Sequence, residues 1–195
     1  MARNKEFDTT LVLHKAMEVF GHYGYEGTSL QLLLEGLGIA RQSLYDTYGT
    51  KRDLFIKAVN HYVDEKSSAV VAYLQQATSV KKAFTDIFAV IMNTLRDEQR
   101  RKECFILYSA IDQVPHDPEI AALFKRDKLR LEQAFYEALV RGQQQGEIGA
   151  NQDPQELARY LYHARYALTQ AAKLTDDPKV LEQITAVTLT VLDHK

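Results

Sequence analysis

The segment GIARQSLYDTYGTKRDLF, residues 38–55, constrains the chain most. A run of about eight helix-compatible residues, Arg41 to Tyr48, is closed in by Gly38 on one side and Gly49 on the other. Glycine accepts the left-handed backbone that a tight inter-helix turn needs, so the pattern predicts a short helix delivered between two sharp corners. Upstream, Leu30, Leu33, Leu34 and Leu37 carry the apolar spacing of a preceding helix. Downstream, Thr50-Lys51-Arg52-Asp53 has the hydroxyl-to-acid spacing of a capping box and predicts a long helix to about Gln76. Two helices joined by a glycine turn, the second short and polar on one side, make a helix-turn-helix.

The rest of the chain repeats the helical signal. The first helix is predicted from Asp8 or Thr9 to about His22, with Leu13, Ala16, Met17 and Phe20 as its buried stripe. Thr28-Ser29-Leu30-Gln31 reads as a capping box for the second helix. Ser79 opens a helix to about Arg96, and Lys102 to Gln113 forms another. Asp117-Pro118, Asp153-Pro154 and Asp177-Pro178 each place a cap and a first-turn proline before helices reaching about Gln145, Lys173 and Asp193. With only nine Gly and four Pro, and no strand alternation, the expectation is an all-α chain of about nine helices.

Several classes are set aside by composition. No stretch approaches the roughly 18 apolar residues of a membrane span, and MARNKEFD lacks the apolar run of a secretory signal, so a cytoplasmic protein is expected. One cysteine, Cys104, permits neither an intrachain disulfide framework nor a cysteine-clustered zinc site. The six histidines show no paired ligand spacing, and no glycine-rich phosphate loop or Ser/His/Asp signature is present, so no metal, cofactor or enzymatic activity is expected. The formal net charge of −2 does not announce a nucleic-acid binder, but its distribution does more. Arg3 and Lys5 form a basic arm, and Arg41, Lys51, Arg52 and Lys57 outweigh Asp46 and Asp53 in residues 38–57.

A helix-turn-helix offers the beginning of its second helix to the major groove. Arg41, Gln42 and Ser43 stand there: Arg suits the acceptor pair of guanine and Gln the donor and acceptor of adenine. Lys51 combines its charge with free amides at a helix start, an arrangement for a phosphate, and Thr28 and Ser29 open the second helix in the same manner. Arg3 and Lys5 can follow the backbone or enter the minor groove. Tyr45 can either pack or touch DNA, Tyr48 is better suited to packing, and Leu44 belongs to the core.

From about residue 10 to residue 57 the chain resembles the TetR/AcrR family of bacterial transcriptional regulators. The matching residues are Phe20-Gly21, Gly27-Thr28-Ser29, Gly38-Ile39-Ala40, Ser43-Leu44-Tyr45, Tyr48, Thr50-Lys51 and Leu54-Phe55. Three positions depart from the family pattern. Ala40 replaces a common capping Ser, which weakens the short helix by about 1 kcal/mol; Tyr48 replaces the usual Phe; and Thr47 stands where the family often has a His near a phosphate.

The resemblance implies a DNA-binding domain over residues 1–50 and a ligand-binding and dimerisation domain over 51–195, with helix 51–76 connecting them. It implies a homodimer on double-stranded DNA with a palindromic operator, released by a small-molecule or reactive electrophile effector. Its dimer face would use Leu157, Tyr160, Leu161, Ala164 and Leu168 on one helix and Val180, Ile184, Val187 and Val191 on the next. Phe84, Phe88, Phe105, Tyr108, Phe135, Tyr136, Tyr162 and Tyr166, with Cys104, are candidate pocket lining, although plain core packing suits each of them individually. Cys104 also resembles a cysteine opening the sixth helix in one subgroup, where nearby Arg100, Arg101 and Lys102 would favour a thiolate redox sensor, against the alternative of a small buried apolar residue. Competing functions are a helical protein-interaction dimer with a vestigial helix-turn-helix, which retained Arg41, Gln42 and Lys51 oppose, and a helical enzyme, which lacks a convergent acid/base set.

Overall fold

The computed structural model describes residues 8–193. Ten α-helices follow one another among them, with no strand. They are α1 (Thr9–Gly27), α2 (Leu30–Leu37), α3 (Arg41–Tyr48), α4 (Lys51–Gln76), α5 (Val80–Arg96), α6 (Glu98–Cys104), α7 (Ile106–Gln113), α8 (Pro118–Gln144), α9 (Pro154–Leu174) and α10 (Pro178–Leu189). A 3-10 turn, Thr190–Leu192, ends the described chain.

The caps expected from local sequence form. Asp8 accepts from the amides of Thr10 and Leu11 at the start of α1. Asp117, Asp153 and Asp177 do the same before their prolines, with bonds of 2.9 Å to the Glu119 amide, 2.7 Å to Gln155 and 2.9 Å to Lys179. At α4, Asp53 accepts from the Thr50 amide and hydroxyl, both at 2.8 Å, and the Asp53 amide donates back to the Thr50 hydroxyl at 3.2 Å. Each pair satisfies amides that a bare helix start would leave open.

The regular part of α1 ends about where expected: Gly24, at φ 73° and ψ 167°, breaks the helix just past His22, and a short turn continues to Gly27. Two local expectations are corrected. Thr28 does not cap α2; its hydroxyl donates to the Gly24 carbonyl at 2.5 Å, and Ser29 alone caps by accepting from the Leu32 amide. The helix expected from Lys102 begins at Glu98 and breaks at Phe105, so α6 and α7 stand where one helix was foreseen.

The chain folds as two compact units, one made of residues up to Val63 with Gln99–Leu123, the other of Asp64–Glu98 with Phe124 onward. This differs from a linear division at residue 50, because α6, α7 and the beginning of α8 fold with the N-terminal helices. In the first unit α1 packs on α2 and α7. Its core holds Met17, Phe20, Leu33, Leu37, Leu44, Leu54, Phe55 and Ile106, all essentially solvent-free. The Phe20 and Phe55 rings meet edge to face at 4.8 Å, and the Ser109 hydroxyl donates to the Phe20 carbonyl at 2.9 Å. Val12, not Leu13, completes the buried stripe of α1. In the second unit α5, α9 and α10 pack on one another around Phe84, Phe88, Phe135, Leu161 and Leu168, with Phe84 against Phe135 at 5.2 Å. The helices α4 and α8 each begin in the first unit and end in the second.

Candidate nucleic-acid interface

The short helix α3 is positioned by its two corners and by two anchors. Gly38 takes the left-handed conformation at φ 67° and ψ 32°, and Gly49 takes φ 88° and ψ −138°, a combination that a side chain would strain. Between them Leu44 is wholly buried and Tyr48 is 4 % exposed. The Tyr48 hydroxyl donates to the Thr9 carbonyl at 3.0 Å, pinning α3 to the start of α1. Burial, with the Asp8 charge adding to it, pushes the Tyr48 phenol above its usual range. Lys57 closes the same corner by donating to the Tyr48 carbonyl at 2.9 Å.

With that side anchored, Arg41, Gln42, Tyr45 and Asp46 are exposed, while Ser43 and Thr47 are half-buried. The exposed residues pair along the helix. Gln42 donates from Nε2 to Asp46 Oδ1 at 2.7 Å, and the Arg41 guanidinium carbon lies 5.8 Å from the centre of the Tyr45 ring. The arrangement presents a donor fork, an amide and a phenol on one short rod, which is chemistry suited to base edges in a major groove. Ala40 makes no side-chain cap, so the first amides of α3 lack the bond that a Ser would supply.

Lys51 stands at the start of α4, half-buried, with Nζ 4.5 Å from the centre of the Tyr25 ring. Burial draws its pKa below the ordinary lysine value, and the Glu26 charge opposes that shift. The aromatic face and helix start hold an ammonium in a fixed place, a suitable partner for a phosphate. Ser29, exposed at the start of α2, is a second such place. Thr28 is fully buried and has no surface to offer a ligand. Arg3 and Lys5 lie outside the described residues.

Some contributors escaped sequence reasoning. Arg52, adjacent to Lys51, turns to Asp117: Nε and Nη2 donate to the two carboxylate oxygens at 2.7 and 2.9 Å, and Nη2 also reaches Glu119 at 3.1 Å. The hydrogen bond to Asp117 leads in raising the Arg52 pKa, and the same bond leads in lowering that of Asp117. The partners are too far apart in sequence to announce themselves. Tyr25 is found only through its place beneath Lys51, whereas the four-residue spacing of Gln42 and Asp46 is a readable helical pair. His14 and His61 also meet, edge to face at 5.6 Å, with His14 Nδ1 3.2 Å from Glu103 Oε1.

The residues expected to line a ligand pocket fall into both units. Phe84, Phe88, Phe135, Tyr136, Tyr162 and Tyr166 belong to the second, and Cys104, Phe105 and Tyr108 to the first. Cys104 is 6 % exposed and is the last residue of α6, not the opening residue of a helix, so the N-terminal dipole invoked for its thiolate lies at Glu98 instead. Of the expected dimer residues, Leu161, Ala164 and Leu168 are buried within the chain's own core; Tyr160 and Val187 are exposed; Leu157, Val180, Ile184 and Val191 are half-buried.

Comparison with known proteins agrees with this geometry. Residues 12–58 match the family model for bacterial regulatory proteins of the tetR family, and residues 81–188 match the tetracyclin repressor-like C-terminal domain. The chain is 57 % identical over 194 residues to YezE, an uncharacterised HTH-type transcriptional regulator of Bacillus subtilis strain 168, covering 99 % of this chain and all of that protein. It is 30 % identical over 188 residues to the HTH-type transcriptional repressor ComR of Escherichia coli K12, covering 96 % and 90 % of the two. A solved structure of the TetR family regulator CifR, a cysteine mutant complexed with 26-base-pair operator DNA, superposes with a TM-score of 0.83 at 25 % identity over 98 % of this chain and all of that one. Among the described residues no helix is long and apolar enough to cross a membrane. With an anchored recognition helix, a fixed ammonium beside it and both family models matched, the chain belongs to the tetR family of bacterial regulatory proteins and is a DNA-binding transcriptional regulator, not an enzyme.

Proposed function

We propose that the protein is a ligand-responsive repressor that binds a palindromic operator as a homodimer in the cytoplasm. The observation that carries this reading is the division of α3 into a buried side, Leu44 and Tyr48, and an exposed side, Arg41, Gln42 and Tyr45. On this reading Arg41 and Gln42 read bases and Tyr45 packs against the groove wall. Lys51, Ser29 and Thr47 take phosphates, and Arg3 and Lys5 add a basic arm. ComR is a repressor and CifR is bound to operator DNA, which supports the same assignment here.

The dimer surface we assign to the exposed outer sides of α9 and α10. Tyr160 is 44 % exposed, Val187 66 % and Leu174 79 %, apolar area that a second copy would remove from water. Leu157, Val180, Ile184 and Val191 border it, while Leu161, Ala164 and Leu168 support it from the core. A twofold axis would place the two recognition helices about one DNA turn, or a multiple, apart. The effector binds in the second unit, and its binding free energy opposes operator binding through α4, one of the two long helices with residues in both units. Cys104 we read as core packing, with the effector held non-covalently. The test is a salt-dependent gel shift on DNA upstream of the gene, with symmetric and half-site fragments. Affinity that does not distinguish the two fragments overturns the dimeric reading, and affinity indifferent to sequence overturns the operator assignment.

A further inference from the structure

The second unit contains an arginine that its own fold leaves incomplete. Arg165, on α9, is half-buried, and its Nε and Nη1 atoms are shielded from solvent without any hydrogen-bond partner. A guanidinium has five donors, no acceptor and no accessible neutral form, so its charge stays in place. Its Cζ lies 5.8 Å from the centre of the Tyr162 ring, and the Tyr162 and Tyr166 hydroxyls meet at 3.2 Å.

The nearby acid does not supply the missing acceptor. Asp127, on α8, is 5 % exposed and accepts at Oδ1 from the Ser67 hydroxyl of α4 at 2.5 Å. It influences Arg165 through its charge, without a hydrogen bond between them. Burial, the leading cause, pushes the Asp127 carboxyl above its ordinary value, so the group that would neutralise Arg165 is itself drawn toward its neutral form. Burial likewise raises the Tyr162 phenol and keeps it a hydroxyl, available as a donor. What results is one fixed positive charge, two guanidinium nitrogens with unfilled N–H donors and two phenols brought together within the unit.

We infer that the second unit binds a small monocarboxylate, whose carboxylate is received by Arg165 beside the Tyr162 and Tyr166 hydroxyls. This names the effector class and rests on the ligand-responsive reading above. A carboxylate supplies an acceptor to whichever of Nε and Nη1 it faces, the two lying on different edges of the guanidinium. A dianion such as a phosphate monoester carries more charge than one arginine balances. An organic cation would find Arg165 in its way and the Asp127 oxygen occupied by Ser67.

The test uses the full chain without DNA. Thermal denaturation and calorimetry are run with benzoate, phenylacetate and hexanoate, and with benzamide, benzylamine and phenyl phosphate as neutral, cationic and dianionic counterparts. At least one of the three carboxylates should raise Tm saturably, and Arg165→Met should weaken that ligand by about tenfold or more while leaving operator affinity in a gel shift unchanged. If Arg165→Met does not fold, Tyr162→Phe serves instead, with a smaller loss of the same sign. Absence of binding by all three carboxylates, equal binding by the folded variant, or tighter binding of benzylamine or phenyl phosphate overturns the inference. Carboxylate binding that leaves operator affinity untouched upholds the site and refutes the ligand-responsive reading.

Discussion

Gly21→Ala puts two opposing effects on one residue of α1. In a helix interior alanine is favoured over glycine by about 1 kcal/mol, so helix propensity alone predicts a gain in stability. Packing opposes it. A Cβ at Gly21 would lie 2.0 Å from the Lys102 carbonyl oxygen and 3.2 Å from the Ile106 nitrogen. Even a close carbon–oxygen contact needs roughly 3.3 Å, so α1 and the backbone of α6 would have to separate by more than 1 Å, about a bond length. The obstructing atom is main-chain and cannot rotate aside. Overpacking against a well-filled core costs about 1–3 kcal/mol, occasionally more, and a backbone clash belongs at the upper end. Subtracting the propensity gain leaves a loss of about 2 kcal/mol, equivalent to a fall in Tm of roughly 4–8 °C for a chain of this length. Gly27→Ala is the matched control in the same helix, because its nearest neighbour would be the Tyr23 Cβ at 4.0 Å. Thermal unfolding followed by circular dichroism should show Gly21→Ala clearly below the parent and Gly27→Ala at or above it. A Gly21→Ala protein that melts at or above the parent temperature would refute the close-approach argument.

Other perturbations separate the roles within the recognition segment. Gln42→Ala should relax base preference at one position of each half-site by about 1–3 kcal/mol, whereas Lys51→Ala should weaken all sequences alike and reduce the salt slope by about one, both read in gel shifts across a salt series. Equal losses on every sequence for both variants would refute that division. Ala40→Ser supplies the absent cap of α3 and should raise stability by about 1 kcal/mol, a gain in Tm of roughly 2–4 °C; no change would mean that the first amides of α3 already have a partner. Hydrogen bonds from the Thr50 amide and hydroxyl hold the Asp53 carboxyl below its ordinary value of 3.8. Because the folded pKa is the lower one, the cap's contribution is complete above the unfolded pKa and is lost as pH falls through the folded value. The Tm difference between the parent and Asp53→Asn should therefore be constant above about pH 5 and narrow below about pH 4; a difference that persists undiminished would contradict the linkage.

Features specified over three or four residues were legible in the sequence. The Asp-Pro helix starts, the Thr50–Asp53 box and the two glycine corners all form, because each depends on a side chain reaching an amide in its own turn. What needed tertiary information was not. Phe105 interrupts α6 and α7 with neither glycine nor proline to signal it, and α7 joins the first unit through packing on α1. Thr28 had two uses open to a hydroxyl, and burial selected the bond back to the Gly24 carbonyl over the cap. Within the candidate interface, residue types indicated Arg41, Gln42 and Lys51, but nothing in a linear string pairs Arg52 with Asp117 or sets Tyr25 beneath Lys51. The orphaned donors of Arg165 were equally invisible, since an arginine on a helix usually reaches water.

The hydrogen bond from Gln42 to Asp46 bears on how forgiving the operator can be. An amide that already has an acceptor in the free protein can bind adenine by exchange. Faced with the wrong base it keeps Asp46, and the mismatch forfeits the difference between two hydrogen bonds, not the larger cost of a polar group left with none. Discrimination at that base pair is thereby softened, while the side chain, already restrained, loses less rotational freedom on docking. On the proposed assignment of Arg41 and Gln42 to bases, one short contact thus exchanges some stringency for readiness, so that natural operators should vary more at the Gln42 position than at the Arg41 position.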